Sequence, residues 1–582
     1  MNNPILTWAK KNWVSLVLLV VIAGGVFVRT YKFDDWLYFK MDQSRDAILM
    51  SKSINEGPQY LPLLGARAGA VKLKHGFLRL GPAFYYFEYV AGKLFNSTEP
   101  YVLAYPDLFF GILAIPMLFF LAKLYFSRLN SLLIATMYAF SFIIIQYSRF
   151  SWNPNALQFF LLLSFYGLLR MLNEPNEKKR RWWIALWAFA ATIGSQLHFF
   201  GFFTLLGASG LLIGFHHQLW KLAKIKTLLQ REMLKKMAGY AAVALAVFLF
   251  LYTPVIISDV FKKGENTHNF FEAMGSKPSK DSFGEKIFKD VKENAKYYCL
   301  VTTSQCYGSS IKKEVPALLV TGLVLLAGLS LSVRGLRKKT NLLQRDFLAM
   351  LLIWVGVFSI LTIPVAFQLR PRFFIVVFAI PFIFLGLAFE FFEEKLKKEQ
   401  AIALAILFTV GIVAWNSHGT YAWFKEQASS QKKALEVKRT LILKAKDGVT
   451  LGQLQGVTDW MYSRRKSGWT MYYYIKPEHV RPIDFLLLEK KDKNLNFVTM
   501  RIDQNPKAQF FAITPAKNGL DDVYAKYGRD VVVIASQQFG QLMVFEIDFP
   551  SRAVLADFKF KKSKNSEDRI YWKDVINIFV KK

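Results

Sequence analysis

The chain has 582 residues, 53% of them hydrophobic, and carries 75 Lys and Arg against 42 Asp and Glu, a formal net charge of +33. That apolar content excludes a disordered chain, and a mean hydropathy of +0.24 excludes an ordinary soluble enzyme. The basic excess sits in short clusters between long apolar runs, the pattern of a polytopic membrane protein and not of a nucleic-acid binder, and two cysteines exclude a disulfide scaffold or a Cys-rich zinc module.

In chain order, apolar stretches of about 17–22 residues, long enough to cross a bilayer as helices, predict eleven spans. They fall at 13–29, 104–124, 131–147, 156–172, 182–197, 199–216, 238–258, 315–333, 346–366, 373–391 and 400–417. Lys10 and Lys11 precede the first, but no small-residue cleavage site follows Arg29, so it reads as an uncleaved span and not a signal peptide. With a cytoplasmic N-terminus every second connection should be basic. Lys123 with Arg128, Lys178–Arg181, Lys221–Lys236, Arg334–Arg345 and Lys395–Lys398 meet that test. The pair 182–197 and 199–216 has almost no connecting loop and reads equally as a re-entrant hairpin.

Three long segments then lie outside: 30–103, 259–314 and 418–582. Cys299 and Cys306 fall in the second, where a disulfide is permitted and two free thiols are the alternative. The last segment, with strand-like runs at Val531–Ala535 and Gln541–Ile547, predicts an extracytoplasmic α/β domain (418–582) following a membrane domain (1–417).

The first outer segment is too long for a plain connection. Within it, Met41–Ile54 has helical spacing, with Ala47, Met50 and Ile54 on one face and Asp42, Arg45 and Asp46 within one turn. Lys72, Lys74, His75 and Arg79 follow, and then an aromatic, amphipathic stretch, Gly81–Phe95, that contains Tyr85. Both stretches fit interfacial helices. Carboxylates at the bilayer mouth opposite cations suit a substrate with a nucleophilic hydroxyl and a phosphate; a solvated, salt-bridged loop is the plainer alternative.

With Phe27-Val28-Arg29 before Asp42-Gln43-Ser44-Arg45-Asp46, and His75-Gly76-Phe77-Leu78-Arg79-Leu80-Gly81-Pro82 leading into the aromatic helix, the sequence resembles the GT-C superfamily of membrane glycosyltransferases. Within it, the likeness is to the protein O-mannosyltransferase and aminoarabinose-transferase type with a glycosyltransferase 39-like domain. Ser148-Arg149-Phe150-Ser151-Trp152-Asn153-Pro154-Asn155, Gln196-Leu197-His198 and Arg370-Pro371-Arg372-Phe373 look like further family features, and the likeness spans roughly residues 1–400. Gln43 stands where many relatives have Glu, and Asn155 where several have a carboxylate. These departures leave Asp42 as the leading catalytic group and disfavour a divalent cation, which wants several oxygen anions.

The resemblance implies a bacterial cytoplasmic-membrane enzyme that moves a sugar from a polyprenyl-phosphate carrier to a glycan, lipid or protein acceptor at the outer face. Asp42 would be the general base, Arg45 would orient it, and Asp46 is a second carboxylate one turn on. Arg372, Arg79 and Lys74 would hold the leaving phosphate. His75, Tyr85, Arg149, Asn153, Asn155, His198 and Arg370 complete the expected substrate-binding set. Each has a plainer reading: Asp42 as a helix cap, Arg149 as a helix anchor, Asn153 and Asn155 as turn residues, His198 as a packed histidine, and Arg370 and Arg372 as snorkelling cations. Rival functions are a transporter or flippase, which would need ionisable groups at mid-membrane depth, an oligosaccharide ligase or polymerase, and a non-catalytic anchor.

Overall fold

The computed structural model describes residues 4–69, 73–74, 76–275, 281–307, 311–442, 448–499, 507–549 and 569–580. It is a mostly helical protein with a small five-stranded sheet near its C-terminal end. Among the described residues seven helices are long and apolar enough to cross a membrane, or eight if the bent pair Pro371–Val377 and Ile380–Lys395 forms one broken span. The first is α1 (Pro4–Thr30).

All eleven predicted segments are helical, but four differ from the expectation of a plain span: 373–391 falls in the bent pair, and three others follow. The stretch 131–147 divides into Arg128–Ala139 and Phe142–Tyr147. The break is held open by polar bonds: the Phe142 N–H donates to Asn416 Oδ1 at 3.0 Å, and Ser141 Oγ donates to the Val301 carbonyl at 3.0 Å. Leu157–Asn173 is apolar but only 17 residues long. The stretch 182–197 lies in Glu177–Leu197, which is not among the helices long and apolar enough to cross a membrane. The last long helix, Lys398–Ser430, continues well past 417.

Between Thr30 and Pro100 lie the two expected amphipathic helices, α2 (Met41–Glu56) and α3 (Ala83–Leu94). The stretches 65–68 and 78–80 pair antiparallel between them. Gly65 must be glycine, because a Cβ there would stand 2.1 Å from the Gly81 carbonyl oxygen. Cys299, near the end of Phe283–Thr303, is disulfide-bonded to Cys306, and both are buried against Ala317.

The sheet comprises β1 (Thr470–Tyr474), β2 (Asn496–Thr499), β3 (Ala508–Pro515), β4 (Val532–Phe539) and β5 (Leu542–Asp548), in the order β2-β1-β3-β5-β4. β1 runs parallel to β2 and β3, and β5 is antiparallel to β3 and β4. β3 is buried nearly throughout, as a central strand covered on both faces requires. This region rests on the segment between Thr30 and Pro100. The Leu451 and Gly452 N–H groups donate to the Leu37 and Asp35 carbonyls, at 2.9 and 3.0 Å. Phe485 packs on Phe39, and Glu489 accepts from Ser51 at 2.7 Å and from Thr98. α2 is thus clamped between the helical bundle and the sheet region.

Candidate active site

The first turn of α2 carries the predicted carboxylates and Arg45. Its N-terminal amides are unsatisfied by the helix itself and favour anions nearby, so Asp42 is well placed there. Gln43 Oε1 accepts from the Lys40 N–H at 3.2 Å, closing the helix start. An amide serves that capping bond as well as a carboxylate does. Ala47, Met50 and Ile54 are buried on one face, as their spacing predicts.

Asp42, Arg45 and Asp46 form one ion cluster with two very different carboxylates. Arg45 Nε and Nη2 donate to the two oxygens of Asp46 at 2.8 and 3.0 Å, and Tyr85 Oη donates to the same carboxylate at 2.7 Å. Arg45 Nη1 reaches Asp42 at 3.0 Å. The Asp46 side chain is 4% exposed and that of Asp42 52%, so only Asp42 is open to an incoming molecule. Burial alone works against the Arg45 charge, but Asp46, Tyr85 and Asp42 together more than offset it and hold the guanidinium firmly cationic. Burial, and next the Asp46 charge, push the Tyr85 phenol up, so it stays a donor.

A third carboxyl, Glu88, was read from sequence only as part of an amphipathic face. It is 1% exposed and accepts from Ser151 Oγ. Burial first, and then the Asp46 charge, raise it well above the ordinary glutamate value. The adjoining turn 148–156 is held by Asp107, which accepts the Trp152 N–H at 2.7 Å.

The remaining predicted residues divide by what already occupies them. Arg372 is near enough for the charges of Asp42 and Arg370 to act on it. Its guanidinium lies 5.5 Å from the Trp152 ring centre, and its buried Nε has no hydrogen-bond partner among the described residues. His198 Nδ1 accepts the Phe200 N–H at 3.2 Å, and its ring packs on Phe373. Burial, and then the charge of Arg372, hold it well below its ordinary pKa and therefore neutral. The structure thus brings Asp42, Arg45, Asp46, Tyr85, Arg370, Arg372 and His198 into one neighbourhood.

Arg149, Asn153 and Asn155 are engaged in structural bonds to backbone carbonyls. Arg149 donates to the carbonyls of Val28, Arg29, Tyr31 and Lys32 at 2.7–3.4 Å, tying down the C-terminal end of α1. Burial, and then Arg29, pull its pKa down to about 9, still cationic at neutral pH. Asn153 donates to the Leu197 carbonyl at 2.7 Å and Asn155 to that of Phe150 at 2.8 Å. Arg79 stands apart, its backbone N–H bonded to Asn266 Oδ1 at 2.9 Å, in a small cavity with Lys262 and Glu265. Lys74 is exposed, with its backbone N–H bonded to Glu272 at 3.0 Å. His75 lies outside the described residues. Among the described residues no group of three or more His, Cys, Asp or Glu side chains is gathered as a metal site.

Comparison with known proteins bears on the fold. Residues 13–258 match the family model for dolichyl-phosphate-mannose-protein mannosyltransferase. The structure is similar to that of ArnT from Cupriavidus metallidurans in the apo state, with a TM-score of 0.53 at 12% identity over 92% of this chain and 98% of that one. It is also similar to the same protein bound to undecaprenyl phosphate, with a TM-score of 0.51 at 12% identity over 93% and 99%. No curated protein matches the chain by sequence.

Proposed function

We propose that this chain, whose fold is similar to that of ArnT, is a member of the GT-C superfamily of membrane glycosyltransferases and an inverting transferase that moves a sugar from a polyprenyl-phosphate donor to an acceptor hydroxyl at the outer face of a bacterial cytoplasmic membrane. The observation that carries this reading is the asymmetry within the ion cluster. One carboxylate is buried and saturated, and the other is held by the same arginine but left open. In the reaction, the acceptor oxygen attacks the anomeric carbon as its proton passes to Asp42, and the bond from that carbon to the phosphate oxygen breaks. The electron pair leaves with the polyprenyl phosphate, which is stable as an anion and needs cations, not a proton. Arg372, with a buried donor available, is the nearest candidate to receive it, and Arg370 adds positive charge. Attack opposite the departing phosphate inverts the sugar's configuration.

Asp46 serves as the fixed counter-charge for Arg45 and not as a second base, since Arg45 and Tyr85 already occupy its oxygens. The same saturation leaves little for a divalent cation, so the reading includes none. A polyprenyl-phosphate donor is supported by the undecaprenyl phosphate bound to the similar ArnT.

The test is transfer from a synthetic polyprenyl-phosphate sugar by purified protein in lipid nanodiscs. Asp42→Asn should lower turnover about a hundredfold or more, the scale of a lost general base, with the fold retained. Undiminished release of polyprenyl phosphate by the variant would overturn the assignment.

A further inference from the structure

The last described segment, Arg569–Val580, leaves the sheet region and pairs with the first outer loop. The Leu63 N–H donates to the Ile570 carbonyl at 2.9 Å, the Trp572 N–H donates to the Leu61 carbonyl at 3.1 Å, and Pro62 and Tyr571 form an antiparallel bridge. Trp572 Nε1 donates to Tyr86 Oη at 2.9 Å, the Lys573 ammonium lies 4.9 Å from the Tyr60 ring centre, and the helix Trp572–Val580 follows. These ties fix the position of the residue just before them. The Arg569 guanidinium lies 5.5 Å from the centre of the Tyr85 ring, whose hydroxyl holds Asp46. Its other side lines the small cavity with Arg79, Lys262 and Glu265.

The charges around this point explain what such a cation does. On α2, Asp42 and Asp46 carry two negative charges against the single positive charge of Arg45. On α3, burial raises both Tyr85 and Glu88 above their ordinary values. The charges of Asp42 and Arg370 act on Arg372, beside which Tyr147 is buried, and Arg79, Lys262 and Glu265 share the small cavity with Arg569. Arg569 therefore adds a positive charge on the Tyr85 side of the cluster, 5.5 Å from the centre of that ring.

We propose that Arg569 is a positioning residue of the transfer site, delivered from the far end of the chain, whose charge acts through Tyr85 on the Asp46–Arg45–Asp42 relay. This rests on the reading of Asp42 as the base. A residue that only anchored the tail would affect stability; one whose charge is felt at the base also moves the pH dependence of turnover.

The experiment measures kcat against pH, donor KM and thermal stability for the full chain in nanodiscs. Arg569→Gln should move the acid limb of the profile upward by about half a unit or more and lower kcat severalfold at neutral pH. Arg569→Lys should return the limb toward its original position. In a Tyr85→Phe background the Arg569→Gln effect should shrink, because the route to Asp46 is cut. If Arg569→Gln does not fold, Arg569→Met, which keeps most of the aliphatic length, carries the same expectation. An unmoved acid limb with lowered stability overturns the proposal. Asp42→Asn separates the two readings: if it stays fully active, the base assignment fails whatever Arg569 does, and if it is inactive while the limb stays fixed in Arg569→Gln, only this inference fails.

Discussion

Asp46→Asn tests the division of labour within the ion cluster most sharply. Asp46 lies at the meeting point of three hydrogen bonds, two from Arg45 at 2.8 and 3.0 Å and one from Tyr85 at 2.7 Å, and its side chain is 4% exposed. Asparagine offers one acceptor oxygen where the carboxylate offers two, and it turns an amide N–H₂ towards a donor. It also removes the buried counter-charge of Arg45, and breaking such a pair from one side costs about 3–5 kcal/mol. The half-exposed Asp42 makes one bond to the same arginine, and pairs of that kind contribute about 0.2–1 kcal/mol. The two variants should therefore separate. Asp46→Asn lowers the thermal denaturation midpoint markedly, and Asp42→Asn leaves it almost unchanged while transfer collapses. Tryptophan fluorescence on heating gives the first quantity and release of polyprenyl phosphate the second. An Asp46→Asn protein within about 1 kcal/mol of the parent would refute the view of Asp46 as structural counter-charge, as would a loss of stability in Asp42→Asn that exceeded the loss in Asp46→Asn.

Two further expectations follow from the same geometry. Burial raises Glu88 in the folded protein above its unfolded value, so its contribution to stability is lost as pH rises from the ordinary glutamate value towards the raised folded one. Glu88→Gln, which keeps an acceptor for Ser151, should then be at least as stable as the parent at pH 8, with the gap closing near pH 4; paired melts at the two pH values check this. Arg149→Lys replaces a fork that spans four carbonyls with a single ammonium, and should cost about 3 kcal/mol without changing donor KM, measured by denaturation and by initial rates.

How much of this was legible in the sequence depends on the range of the interaction. Helical periodicity and charge spacing act within a few residues, and they located α2, α3 and the cluster of Asp42, Arg45 and Asp46. They also located the edge hairpin β4–β5, near the runs Val531–Ala535 and Gln541–Ile547. The break at Phe140–Ser141 was hidden because its cause, Asn416, lies on another helix. The parallel strands β1 and β3 gave no alternation to read, since β3 is buried on both faces. Glu88 looked like one polar position on an amphipathic helix, because its burial depends on Ser151 and the turn around it. The occupation of Arg149 by the end of α1 could be weighed from sequence as one of two readings; the carbonyls that engage it come from residues more than a hundred positions away.

The bridge between Pro62 and Tyr571 has a consequence for biogenesis. The loop that carries the ion cluster is made long before its strand partner. Until residues 570–572 have been made, Leu61–Leu63 has an open edge and Tyr86 lacks Trp572. A chain terminated before them therefore inserts its helices with this edge unpaired.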